Sequence, residues 1–208
     1  MAIDLLWIVI RILGSLLATL FIFRAYLKFI KLAPCSSLFM MVKTCTNWAL
    51  EPLEKIFPYS EKYDWGSVAG SVLTSFLVAV FFYFSQINQK INSQWFDGFA
   101  EMIQSIGFVF ILGLVWLFDW FLHLLVVLVI VHVVLSWVGP ATKIGDMKPI
   151  ISRLVSPLLL PLQKLIFKRG SKFNELNIDP SPIIIFIFLQ VLFLVNDRIT
   201  IEVISAIF

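Results

Sequence analysis

The sequence predicts an all-α membrane protein: four transmembrane helices arranged as two parallel-repeat hairpins, each with an amphipathic segment lying in the membrane interface. Three observations carry this. The chain is 60% hydrophobic and 14% charged, with 21 Phe among its 208 residues, whereas soluble domains are about half apolar and a quarter charged. The apolar residues collect into four long stretches, and a bilayer rather than water is the solvent that suits them. The stretches form two pairs, and each pair encloses a loop of similar chemistry: WALEPLEKIF (48–57) then DWGS (64–67), and PLLLPLQKLIF (157–167) then DPSP (179–182).

Span 1 is expected at about residues 5–30. It lacks a basic leader, carries Asp4 and Arg11, and stays apolar for longer than a signal peptide core, so it reads as a retained helix. Span 2 is expected at about residues 68–86. The apolar run 102–138 is too long for one crossing, but F-D-W-F-L-H around Asp119 has no Gly, Pro or Asn with which to turn. One crossing at about 119–138 is therefore expected, preceded by a segment, 103–118, that lies in the interface or extends the helix with a bend. Span 4 is expected at about 183–204. Its strongly apolar part, 183–195, is short for a crossing, so it must include 196–204 or sit in thinned membrane. The two hairpins then occupy residues 1–98 and 99–208.

The cations orient the spans. Loop 1 holds Lys31, Lys43, Lys55 and Lys62, and loop 3 holds Lys143, Lys148, Arg153, Lys164, Lys168, Arg169 and Lys172, while loop 2 holds Lys90. Lys and Arg are retained on the cytoplasmic side, so loops 1 and 3 are expected inside and both termini outside. A net charge of +3 gives no reason to expect a nucleic-acid partner. Cys35 and Cys45 form no C-x-x-C unit and no disulfide framework.

Slid along itself until RAYLKF (24–29) lies on HVVLSW (132–137), the sequence matches itself further on: Pro52-Leu53 on Pro161-Leu162, then Asp64 on Asp179. Both halves enter from the same side, which makes the repeats parallel. Within the loops, 39–45 and 147–155 mix apolar residues with cations, as surface-lying helices do. Pro157 and Pro161 are expected to break helix there. Asp179 is placed to cap span 4, with Pro180 or Pro182 in its first turn.

Ionisable residues at membrane depth mark candidate sites. The repeat shift lays Arg11 on Asp119, a possible pair of opposite charge at equal depth; the alternative is that both snorkel to the outer interface. His123 follows Asp119 by one helical turn, which admits a proton relay or an interfacial histidine. At the inner end stand Arg24, Lys28, His132 and Ser136. Arg24, Lys28 and Lys31 form a cationic stripe that reads as a lipid-phosphate anchor. No Walker loop, metal-ligand cluster or Ser/His/Asp grouping is present in the sequence, so no enzyme activity, metal or cofactor is expected. The partners expected are the bilayer and either a protein or a second copy of the chain.

Four pieces of the second half, SWV (136–138), Ile150-Ile151, LVSPLLLPLQKLIF (154–167) and DPSPI (179–183), together resemble the repeat of the YggT (YlmG-like) family of small integral membrane proteins. The residues that carry the likeness are Pro157, Pro161, Lys164, Asp179, Ser181 and Pro182, with Pro52 and Asp64 in the first half. The chain departs from the family pattern at Leu160 and Gln163, where arginines are usual, at Phe167, and in the first half at Trp48 and Gly66-Ser67. The resemblance implies a bacterial inner-membrane protein without enzyme activity, acting as a scaffold or accessory factor in envelope, osmotic-stress or ion homeostasis. Two other readings stay open: a small oligomeric channel or transporter using Arg11, Asp119 and His123, and an assembly factor for a membrane haem protein.

Overall fold

The computed structural model describes residues 2–31, 37–57, 63–90, 99–137, 147–167 and 181–207. Among them every regular element is helical: α1 (Ala2–Phe29), α2 (Ser37–Glu54), α3 (Trp65–Lys90), α4 (Phe99–Trp137), α5 (Lys148–Phe167) and α6 (Ser181–Ile207). Four of these are long and apolar enough to cross a bilayer, at Leu5–Phe29, Trp65–Gln86, Ile106–Trp137 and Pro182–Ala206. In hydrocarbon a backbone must satisfy its own polar groups, and helices do so within a single segment. This is an all-α membrane protein with four spanning helices.

The chain forms two compact units, Met1–Phe121 with Asn196–Phe208, and Leu122–Val195. In the first, α1 packs along α3 and α2 packs against both. The core of this unit holds Ala18, Val78, Ala79, Phe82, Val109, Leu112, Trp116 and Trp120, with Trp7 and Ile204 against it. Trp7, Phe82 and Trp116 form an aromatic knot, with ring centroids 5.0–5.8 Å apart. Close approach of the helices depends on two glycines. A Cβ at Gly14 would fall on Val78 Cγ2, and one at Gly113 would press 3.4 Å from the Phe76 Cα. Small residues at helix contacts are the usual device where lipid supplies no hydrophobic drive to associate. Ser71, Ser75 and Ser85 are buried on α3, and each hydroxyl donates to a carbonyl one turn back, so none is left unsatisfied.

The long apolar run is one helix. Residues 106–118 of the expected interfacial segment extend the span, because Val109, Leu112, Gly113 and Trp116 are buried against the α1–α3 pair. α6 includes residues 196–204, the longer of the two forms expected. Its polar Asn196 is buried and donates through Nδ2 to Asp119 Oδ1 at 3.3 Å, which lets a polar residue sit within the span.

In the second unit, Ile151, Leu154, Val155 and Leu159 of α5 are buried. The expected helix break at Pro157 and Pro161 does not occur, since α5 runs through both. Pro157 removes the N–H that would bond to the Arg153 carbonyl. The Ser156 hydroxyl donates to that carbonyl instead, at 2.8 Å. Pro182 lies in the first turn of α6 as expected, where a missing N–H costs nothing. Asp179 lies outside the described residues.

Candidate functional site

α1 ends on Lys31 in the left-handed region (φ 54°), with its N–H donating to the Lys28 carbonyl at 2.9 Å. This turn stops the helix one and a half turns beyond Arg24. Arg24 therefore stays inside the first unit, only 4% exposed, instead of reaching the membrane surface. It is thus removed from the lipid-facing stripe expected of Arg24, Lys28 and Lys31.

Two elements supply its three partners. Nε donates to Asp64 Oδ2 at 3.2 Å, one terminal nitrogen to Thr46 Oγ1 at 3.0 Å, and the other to Glu54 Oε1. Asp64 comes from the start of α3, and Thr46 and Glu54 come from α2. Each partner is itself held. Asp64 Oδ1 accepts the Ser67 N–H at 3.2 Å and so caps α3, satisfying a donor that the first helical turn leaves open. The Thr46 hydroxyl donates to the Val42 carbonyl at 2.8 Å, leaving its lone pairs to the guanidinium. Gly66 makes room: a Cβ there would meet Glu54 Cγ at 3.2 Å. Asp64 is buried, while Glu54 remains 41% exposed. The fork of the guanidinium matches this divergent set in a way that a lysine could not. Beside the node, Ser67 Oγ is the buried side-chain oxygen that has no hydrogen-bond partner among the described residues.

Chemically this arrangement is a fastener. A buried charge in a low-dielectric medium must be paired and hydrogen-bonded, and here the pairing ties the end of one span to the start of the next and to the helix between them. Val42, Thr46 and Leu50 form the buried face of α2, while Met40, Met41 and Trp48 are exposed on it. The node thus fixes which residues α2 presents outward.

The other expected site residues are more scattered. Arg11 is exposed on α1 and enters no ion pair among the described residues. Asp119 accepts from Asn196, and among the described residues no ion pair joins it to Arg11. In the second unit His123 meets the Phe193 ring edge-on, with centroids 4.6 Å apart. Ser136 donates to the Val133 carbonyl of its own helix at 2.6 Å, and His132 is half-buried. Pro52 and Pro157 are exposed on α2 and α5. Pro161 and Lys164 lie along α5 and Ser181 opens α6. Thr46, Glu54 and Asn196 were not singled out by the sequence. The signal that could have found Glu54 is the need of any arginine inside a span for a carboxylate.

No curated protein and no solved structure is detectably similar to this chain. Residues 111–197, which run from within α4 through α5 into α6, match the CCB3/YggT family. Over that stretch, the chain is similar to the CCB3/YggT family.

Proposed function

We propose that this protein is a non-enzymatic scaffold or accessory factor of the bacterial inner membrane, serving envelope or osmotic and ion homeostasis. On this reading its loops 1 and 3 are cytoplasmic and its two hairpins are duplicates of one unit. The observation that carries it is the Arg24 node: its polar atoms are spent on holding α1, α2 and α3 together, which leaves an outward face of α2 fixed for a partner or for lipid headgroups. The succession of span, shorter helix and span in both halves supports the duplication. The excess of Lys and Arg in loops 1 and 3 supports the orientation. A second reading, a small oligomeric channel or transporter, draws support from the Asp119–Asn196 contact inside spanning helices, since ionisable groups at that depth often serve transport.

Reconstitution into liposomes separates the two. A scaffold gives ion flux no higher than empty liposomes and co-purifies a defined partner from gently solubilised membranes. Flux that is abolished in Asp119→Ala and retained in Pro157→Ala establishes the channel reading and removes the scaffold.

A further inference from the structure

Within the first unit, α1, α3 and the first part of α4 do not close fully on one another. They leave a groove of about 390 Å³ lined by Ile22, Ala25, Val68, Ser71, Leu114 and Phe118 among others. That volume falls at the lower end of ligand pockets, about 300–1,000 Å³. The lining is apolar in effect, because the Ser71 hydroxyl is engaged by the Val68 carbonyl at 2.8 Å. Val68, Leu114 and Phe118 are 39–44% exposed, so the groove is open to its surroundings, which for spanning helices are lipid. A crevice in hydrocarbon that protein does not fill forfeits dispersion contacts along its whole wall.

One end of the groove carries the marks of the headgroup region. Phe29 continues the Ile22–Ala25 face of α1 at helical spacing. It stacks on Tyr63 (centroids 6.2 Å), which meets Trp65 (5.7 Å), one turn before Val68. All three rings are exposed, and amphipathic aromatics settle at the membrane–water interface. Lys28 and Lys31 lie at this same end of α1, and among the described residues there Arg24, Lys28 and Lys31 outnumber Glu54 and Asp64.

We propose that the groove is a binding site for one anionic phospholipid. An acyl chain lies along Ile22, Ala25, Val68 and Phe118, and the phosphate sits beside the aromatic rings within reach of Lys28 and Lys31. The chain fills the space between the first hairpin and α4 and so binds the two together. The lysines select anionic over zwitterionic headgroups.

The full-length protein, purified in mild detergent and stripped of lipid, provides the test. Adding phosphatidylglycerol is expected to raise the thermal midpoint more than phosphatidylcholine does, and native mass spectrometry is expected to show one retained phosphatidylglycerol. Ala25→Phe fills the groove and is expected to lose that lipid while unfolding at or above the wild-type temperature. If Ala25→Phe fails to fold, Ser71→Leu fills the opposite wall and serves the same purpose. Lys28→Gln with Lys31→Gln is expected to keep a lipid but lose preference for the anionic one, roughly fivefold for each lysine. Equal retention of lipid by wild type and a folded groove-filled variant overturns the site. Equal response of wild type to the two lipids overturns the headgroup assignment.

Discussion

At the scale of single residues, the Arg24 node concentrates the largest expected effects. Arg24→Ala leaves Asp64 buried and uncompensated, and breaking a buried pair in this way costs about 3–5 kcal/mol. Arg24→Lys retains the charge but reaches at most part of the divergent set, so its loss is smaller. Asp64→Asn removes charge yet keeps a good capping side chain, whereas Asp64→Ala removes both, and the cap should separate the two variants by about 1 kcal/mol. Thermal or denaturant unfolding in detergent reads all four. A triple change, Arg24→Met with Asp64→Asn and Glu54→Gln, should recover most of the stability lost in Arg24→Ala; if it does not, the node does more than fasten. The sequence exposed the members of this node but not their meeting. Arg24 was legible as an inner-end cation and Asp64 as part of a loop motif. α1 is apolar nearly all round, so no stripe tells which side faces protein and which faces lipid. Thr46 and Glu54 were missed because the amphipathic pattern was read only over 39–45, while the helix itself runs on to Glu54.

At the scale of helices, composition located the spans well, because a crossing consumes about 20 apolar residues whatever its neighbours are. Spans 1 and 2 were expected at 5–30 and 68–86 and lie at Leu5–Phe29 and Trp65–Gln86. Composition failed where protein replaces lipid as the surroundings. Residues 103–118 look the same to a hydropathy argument whether they lie in the interface or pack on α1 and α3, and only the packing of Leu112 and Trp116 decides. Proline also misled, since a neighbouring serine can take over the carbonyl that Pro157 abandons. Contact between α1 and α3 is testable through its closest point. Gly14→Ala drives a methyl into Val78 Cγ2 and should cost about 1–3 kcal/mol as an overpacked site. Val78→Ala opens a void and should destabilise by itself. Combined, the two should cost less than their sum by about 0.5–3 kcal/mol, the range for residues in direct contact. Strict additivity in a double-mutant cycle, read from unfolding midpoints, would place the two helices further apart than the packing described above.

For the whole molecule, the number of crossings and their direction are separate claims, and one labelling scheme distinguishes them. The direction rests on the cations: loops 1 and 3 are rich in Lys and Arg, and loop 2 has Lys90, an asymmetry that translocation enforces through the cost of moving such charges across the membrane. The count rests on length and composition, since α1, α3, α4 and α6 are each long and apolar enough to cross. The 39 residues of α4 are nearly twice what one crossing requires, which makes α4 the element on which the count could fail. Cys45 is a free, exposed thiol on α2, and Cys35→Ser leaves it as the sole cysteine. A second variant lacking both native cysteines and carrying Asn92→Cys reports on loop 2, and a third with Thr142→Cys reports on loop 3. An impermeant maleimide applied to intact cells should modify only the Asn92→Cys variant, and in inverted vesicles it should modify the other two. Labelling of Cys45 and Thr142→Cys from outside, with Asn92→Cys protected, reverses the orientation and leaves four crossings standing. Labelling of Cys45 and Thr142→Cys from opposite sides means that α4 crosses an even number of times, and the symmetry of the two hairpins goes with it.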